Sequence, residues 1–147
     1  MTNEDLYLRF LVALAIGLVV GIERGWKQRE EPSGTREAGI RTFAILALVG
    51  FGVGIGLDKF GPIFAAAVAA GVFAVVAIGY ASELANKDAD RGATTEIAAF
   101  LTFVLGALAG VGETLAAGVT AVVLVALLDY KAELHGFLQR VERLELT

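Results

Sequence analysis

Long apolar runs separated by short polar stretches dominate this chain. Five such runs occur, at residues 6–22, 41–57, 62–81, 97–111 and 115–128. A helix needs about 20 residues to cross the hydrocarbon core of a bilayer, so the two shorter last runs must draw in polar flanking residues to span it. The pattern predicts an all-α integral membrane bundle of five transmembrane helices.

The pattern changes after Asp129. From Tyr130 onward, apolar residues recur at helical spacing with polar residues between them, which is typical of an amphipathic helix. Such a helix either lies on the cytoplasmic face of the membrane or leads into a further domain. We therefore expect a transmembrane domain over residues 1–129 and a cytoplasmic amphipathic helix or tail over residues 130–147.

Composition supports the membrane assignment and narrows the function. The chain is 56% hydrophobic, against about 45 to 50% in a soluble domain. It contains no Cys and a single His, His135, which excludes disulfides, thiolate sites and a multi-histidine metal site within one chain. No basic block is interleaved with aromatic residues, so nucleic acid is not expected as a partner. No nucleophile with a neighbouring base is recognisable, so we do not expect an enzyme.

The distribution of basic residues predicts the topology. Ten of the twelve Lys and Arg residues lie between the first and second runs, between the third and fourth, or after the fifth. Only Arg9 and Lys59 fall on the opposite side. Because cytoplasmic loops carry the excess of basic residues, the N-terminus is expected outside and the C-terminus in the cytoplasm. The outer connections, residues 58–62 and 112–114, are expected to be tight hairpin turns.

Pairs of small residues at four-residue spacing mark the expected helix contacts. Glycine lets two helix backbones approach closely in a membrane. The pairs could serve packing inside one bundle or homodimerisation, and we expect a homodimer among the partners. The glycines of these four pairs are Gly17 and Gly21, Gly50 and Gly54, Gly52 and Gly56, and Gly106 and Gly110.

Ionisable residues near the cytoplasmic ends of the runs suggest an ion site. If the bundle brings these ends together, Glu23, Glu96 and Asp129 converge. Divalent cations such as Mg²⁺ prefer oxygen ligands, and Thr95 adds a hydroxyl. The three carboxylates are therefore a candidate metal site. Asp129 is the one best suited to meet an ion or a proton, because its basic neighbour, Lys131, points to a different side of a helix.

An equally weighted alternative assigns these carboxylates to ion pairs. In that reading Glu23 and Glu96 neutralise Arg24 and Arg41 and hold the helix ends in register. Removing one partner from a buried ion pair costs about 3 to 5 kcal/mol. The sequence leaves both readings open.

Two stretches resemble the N-terminal membrane domain of the MgtC/SapB family. They are L-x-A-L-x-x-G-L-V-V-G-I-E-R, from Leu11 to Arg24, and A-G-I-R-T-F, from Ala38 to Phe43. The stretch T-T-E-I-A-A-F-L-T-F-V-L-G-A-L-A-G, from Thr94 to Gly110, is similar to a longer MgtC-like branch that carries an appended second membrane domain.

The resemblance implies a multi-pass protein of a bacterial or archaeal inner membrane that is linked to Mg²⁺ homeostasis. Mg²⁺ is the one cofactor that it implies. The first hypothesis is ion transport through the carboxylate cluster. The second is a regulatory protein that contacts another membrane complex, such as ATP synthase, through its helix faces. Both place the chain in a lipid bilayer, and the second adds another membrane protein as a partner.

Overall fold

The described part of the chain forms four helices in the computed structural model. They are α1 (Asn3–Lys27), α2 (Ile40–Leu84), α3 (Thr94–Val111) and α4 (Thr114–Glu145). The structure describes residues 2–27, 39–85 and 93–145, without the side chains of residues 27, 83, 84 and 131–145. Those ranges contain no strand, which confirms the all-α prediction.

Three helices within the described ranges are long and apolar enough to cross a membrane. The segments are Asn3–Trp26, Ile40–Ser82 and Thr94–Val111. The apolar part of α4, Thr114–Tyr130, is shorter. These apolar helices indicate a protein embedded in a lipid bilayer.

Helix α2 is about twice as long as one membrane span and is interrupted at Gly61. It contains 45 residues, and Gly61 has φ 79° and ψ 173°, a backbone conformation that is essentially restricted to glycine. Pro62 follows, and its missing N–H is tolerated in the first turn of a helix. The turn expected over residues 58–62 is thus reduced to one non-helical residue. The second and third apolar runs become the first half (residues 40–60) and the second half (residues 62–84) of α2.

The two halves of α2 fold back on each other. Together with the start of α3 they enclose a groove of about 670 Å³. An unbroken helix rises about 1.5 Å per residue and would separate Thr42 from Gly79 by about 55 Å, so both can line one groove only because the chain reverses at Gly61. The groove is lined by Thr42, Leu46, Val68, Gly71, Val72, Val75, Val76, Gly79, Thr95, Glu96 and Ala99.

A two-residue turn joins α3 to α4, as expected for residues 112–114. Gly112 adopts a left-handed conformation with φ 106°. Its N–H donates to the carbonyl of Ala109 at 3.1 Å, and the N–H of Glu113 donates to the carbonyl of Leu108 at 2.9 Å. This pair of hydrogen bonds is the Schellman motif, which satisfies the last carbonyl groups of a helix.

Helix α4 runs without a break from Thr114 to Glu145. The C-terminal helix that we expected as a separate element is therefore a continuation of α4, and no helix boundary falls at residue 129. Residues 119–135 contain neither proline nor glycine, so nothing in the local sequence ends the helix there. The apolar stripe expected beyond Tyr130 lies outside the described side chains.

Four glycines bring the first half of α2 into backbone contact with α3. A Cβ atom on Gly50 or on Gly106 would overlap a backbone carbonyl oxygen of the facing helix. One turn further along, Gly54 and Gly110 face each other, and a Cβ atom on Gly110 would lie 2.9 Å from the Cα of Gly54. No larger side chain fits at these positions, so the two backbones gain dispersion contacts that lipid would not provide.

Helix α1 meets the first half of α2 in the same way. A Cβ atom on Gly17 would lie 2.7 Å from the Cα of Ala44, and one on Gly21 would lie 2.7 Å from the Cα of Ile40. Six of the eight glycines in the expected pairs are thus in contacts between helices of one chain, whereas Gly52 meets nothing within 4 Å.

The apolar core lies between α1, the first half of α2, α3 and α4. Val20, Phe43 and Leu105 are among its fully buried side chains. The second half of α2 reaches this core through Val76, which is only partly buried. The groove therefore separates most of the second half from the packed centre of the molecule.

Candidate functional site

Glu23 and Arg24 form an ion pair between neighbouring residues near the end of α1. The Nε of Arg24 donates to Oε2 of Glu23 at 2.6 Å, and its Nη2 donates to Oε1 at 3.0 Å. Arg24 is only 7% exposed. Such a two-point pairing of guanidinium and carboxylate is among the stronger charge-assisted interactions in proteins. Of the two arginines expected to form ion pairs with these carboxylates, Arg24 therefore does so.

Glu96 lies in the first turn of α3 and lines the groove beside Thr95 and Thr42. Its Oε2 atom is buried and accepts no hydrogen bond from any described residue. The partial positive charge at the start of a helix favours a carboxylate there. A buried carboxylate oxygen without a donor is nevertheless costly, so a hydrogen-bond donor or a cation beside Glu96 would be favourable.

Arg41 does not supply that donor. It lies in the first turn of α2, next to Thr42, and is exposed. No ion pair joins Arg41 to Glu96 or to another side chain in the part of the chain that the structure describes. The expected pairing of both carboxylates with both arginines therefore occurs only for Glu23 and Arg24.

The three predicted carboxylates do not come together as a metal site. Glu23 is turned to Arg24, Glu96 lines the groove, and Asp129 is exposed on α4. Among the described residues, no three His, Cys, Asp or Glu side chains are grouped so that they could hold a metal ion.

Arg9 has a contact that the sequence did not reveal. Its Nη2 lies 2.6 Å from the carboxylate of Asp5, and its Nη1 donates to the carbonyl of Gly110 at 3.2 Å. The guanidinium lies over Gly112, where a Cβ atom would come within 3.0 Å of Cζ. A cation at the C-terminal end of α3 interacts favourably with the helix dipole. The four-residue spacing of Asp5 and Arg9 predicts their ion pair, whereas the contact with α3 is tertiary.

The groove wall from the second half of α2 was also missed. Val68, Val72 and Val76 face Glu96 and Leu46 across the groove. In the sequence these valines are part of a uniformly apolar run, and no charged or polar residue marks them. Only the reversal at Gly61 brings them to the start of α3.

One protein-family model matches nearly the whole described bundle. The model of the MgtC family matches residues 10–137, which include both halves of α2, the groove and the Glu23–Arg24 pair. No curated protein and no solved structure matches the chain. Since the family model spans most of the chain, the resemblance carried by the Glu-Arg and Gly-Ile-Arg-Thr stretches is confirmed, and the chain belongs to the MgtC family.

Proposed function

We propose that this chain is a multi-pass inner-membrane protein that acts in Mg²⁺ homeostasis as a regulatory protein. Membership of the MgtC family, matched over residues 10–137, is the observation that carries the link to Mg²⁺. The packing of the helices favours regulation over transport as the way in which the chain acts. The bilayer is that of a bacterial or archaeal cell.

Five spans fit the helices best. The two halves of α2 contain 21 and 23 residues by their bounds at Gly61, which corresponds to about 32 and 35 Å of helix. Each half is long enough for a hydrocarbon core of about 30 Å. With ten of the twelve basic residues on one side, the N-terminus faces outward and the C-terminus faces the cytoplasm.

A closed interior argues against ion passage through one copy of the chain. The contacts at Gly50 and Gly106 bring the backbones of α2 and α3 together, which leaves no room for a hydrated ion between them. Within the described ranges, the buried polar residues are Arg24 and Thr102. Arg24 is engaged by Glu23, and the hydroxyl of Thr102 donates to the carbonyl of Ala98 at 2.7 Å. The interior therefore contains few polar groups that could bind an ion.

Contact with another membrane complex is the mechanism that remains for a regulatory role. Large apolar side chains on the second half of α2 are exposed, among them Ile63 at 85%, Val75 at 72% and Ile78 at 67%. Such a face can pack against lipid, against a second copy in a homodimer, or against a helix of another protein such as ATP synthase. Regulation requires the last of these.

A second candidate function, cation handling, rests on Glu96 alone. Its buried Oε2 atom without a hydrogen-bond donor is the one feature of the described residues that favours a cation. Thr42 and Thr95 line the same groove and could add hydroxyl ligands. Transport by this route would pass along the groove rather than through the packed core.

Growth and flux measurements separate the two candidates. A strain that lacks this gene is expected to grow poorly when Mg²⁺ is limiting, and the wild-type chain is expected to restore growth. Proteoliposomes that contain the purified chain are expected to take up Mg²⁺ no faster than empty liposomes. Normal growth of the deletion strain at low Mg²⁺ would contradict a role in Mg²⁺ homeostasis.

Matched variants make the flux result decisive. Glu96→Gln removes the charge in the groove, and Glu113→Gln removes an exposed charge at the other end of α3. Flux above background that Glu96→Gln lowers and Glu113→Gln leaves unchanged would establish cation handling in place of regulation. Crosslinking in native membranes then tests the partner: recovery of a second membrane protein is expected, and recovery of self-dimers alone counts against regulation.

A further inference from the structure

The groove combines a long apolar wall with one acidic group at its end. The wall runs along the second half of α2 from Val68 to Gly79 and faces Leu46 of the first half. Among the described side chains that line it, Glu96 is the only charged one. The occupant that suits these walls is mostly apolar and carries one positively charged or hydrogen-bond-donating group.

The acidic end of the groove lies at a membrane boundary. Thr42 is in the first turn of α2, Glu96 is in the first turn of α3, and Gly79 is close to the end of α2. These helix ends occur together at one side of the bundle. A ligand that reaches Glu96 therefore has its polar group at the level of lipid headgroups and its apolar body at the level of the acyl chains.

The length of the groove matches one leaflet of a bilayer. Eleven residues separate Val68 from Gly79 on a helical segment, which corresponds to about 17 Å. Half of a hydrocarbon core of about 30 Å is about 15 Å. The groove is thus as long as the acyl region of a single leaflet.

We propose that the groove binds a phospholipid whose headgroup carries a primary ammonium group. The ammonium donates a hydrogen bond to the carboxylate of Glu96 at the end of the groove, and one acyl chain lies along the second half of α2. Arg41 is exposed next to Thr42 at the same end and provides a cation for the lipid phosphate. This site goes beyond the proposed function and does not depend on it.

The headgroup, rather than the acyl chain, decides which lipid occupies the groove. An acyl chain gains little when it leaves bulk lipid for an apolar wall, because the two surroundings are equally apolar. A choline headgroup has no N–H and cannot donate a hydrogen bond to the Glu96 carboxylate. A primary ammonium supplies a charge-assisted hydrogen bond, so binding is expected to be about tenfold tighter or more.

Native mass spectrometry of the full chain in a mild detergent tests the proposal. The chain is titrated with phosphatidylethanolamine and with phosphatidylcholine of the same acyl chains, and the bound fractions are compared. The expected result is about tenfold stronger binding of phosphatidylethanolamine. Equal binding of the two lipids by the wild-type chain overturns the proposal, because the N–H groups of the ammonium would then contribute nothing to binding.

Two pairs of variants locate the binding site. Glu96→Gln is expected to abolish the headgroup preference, and Glu113→Gln, at an exposed site, is expected to keep it. Gly71→Leu places a side chain in the groove and is expected to lower the binding of both lipids. Gly118→Leu makes the same change on α4, where a Cβ atom also meets nothing within 4 Å, and is expected to leave binding unchanged.

The variants also give outcomes that overturn the proposal. A preference that survives Glu96→Gln would show that another group recognises the ammonium. If Glu96→Gln does not fold, Gly71→Leu decides, because unchanged lipid binding in that variant would place the lipid elsewhere on the chain.

Discussion

The first and second halves of α2 are similarly apolar but make different contacts. In the first half, Phe43 and Ala47 are completely buried, and Gly50 meets the backbone of α3. In the second half, none of residues 62–82 is buried. Its contacts with α3 include the edge-to-face pair of Phe73 and Phe100, whose ring centres are 5.8 Å apart.

This difference teaches that apolar character and helix packing are separate properties in a membrane protein. Both halves are apolar enough for a bilayer, but lipid can satisfy an apolar surface as well as another helix can. Gly71 and Gly79 in the second half meet nothing within 4 Å, whereas Gly50 and Gly54 in the first half touch a facing backbone. A glycine therefore marks a helix contact only where the backbone of another helix faces it.

The largest expected effect is the difference in stability between a leucine placed in the first half and one placed in the second half. Gly50→Leu forces the side chain into the backbone of α3 and is expected to destabilise the chain by about 3 kcal/mol or more, because backbone shifts are required. Gly71→Leu faces open space and is expected to change stability by less than about 0.5 kcal/mol. Thermal unfolding in detergent, followed by circular dichroism, measures both.

Equal unfolding midpoints for the two leucine variants would remove the distinction between the halves. Gly106→Leu serves as a second test from the facing helix, since its side chain would meet the backbone near Ala47. It is expected to behave like Gly50→Leu.

A smaller effect is expected at the junction between the halves. Gly61→Ala places a Cβ atom on a residue with φ 79° and ψ 173°, which is expected to cost about 1 to 3 kcal/mol. The chain can relieve this strain by straightening, which would open the groove. Because the natural chain has no cysteine, Thr42→Cys and Gly79→Cys can be joined by a bifunctional thiol reagent to report on the groove.

The crosslink is expected to form efficiently with Gly61 present and less efficiently with Gly61→Ala. Gly71→Ala is the control, because it adds the same methyl group to a helical glycine in open space. Unchanged crosslinking and an unchanged unfolding midpoint in Gly61→Ala would show that the reversal does not depend on this glycine.

The smallest effect is expected where the second half touches α3. Phe73→Leu removes the ring that meets Phe100 at an interplanar angle of 82° and is expected to destabilise the chain by about 1 kcal/mol. Val75→Ala, at an exposed position on the same half, is the control and is expected to have less effect. If Val75→Ala destabilises the chain more than Phe73→Leu, the second half is held by contacts other than this aromatic pair.

The sequence predicted some contacts of the candidate site and missed others. Glu23 and Arg24 are adjacent and form an ion pair, but the pair lies within one helix and does not join two helix ends as the ion-pair alternative expected. Glu96 was identified as an unusual acid at the start of an apolar run, but neither proposed partner reaches its buried oxygen. Among the described residues, Glu96, Glu23 and Asp129 do not form a group that could hold a metal ion. The sequence gives the position of a residue along its helix, whereas its direction around the helix depends on tertiary packing.

By itself, the sequence determined the helical class, the membrane environment, the family and the approximate ends of the apolar runs. These follow from hydrophobicity and local breakers such as Gly61 and Pro62, which act over a few residues. Tertiary structure decided that Gly50 and Gly106 touch backbones while Gly71 does not, and that Glu96 faces a groove built by the returning half of α2. These contacts depend on how each helix is rotated about its own axis relative to helices distant in sequence. A uniformly apolar helix surface does not specify that rotation.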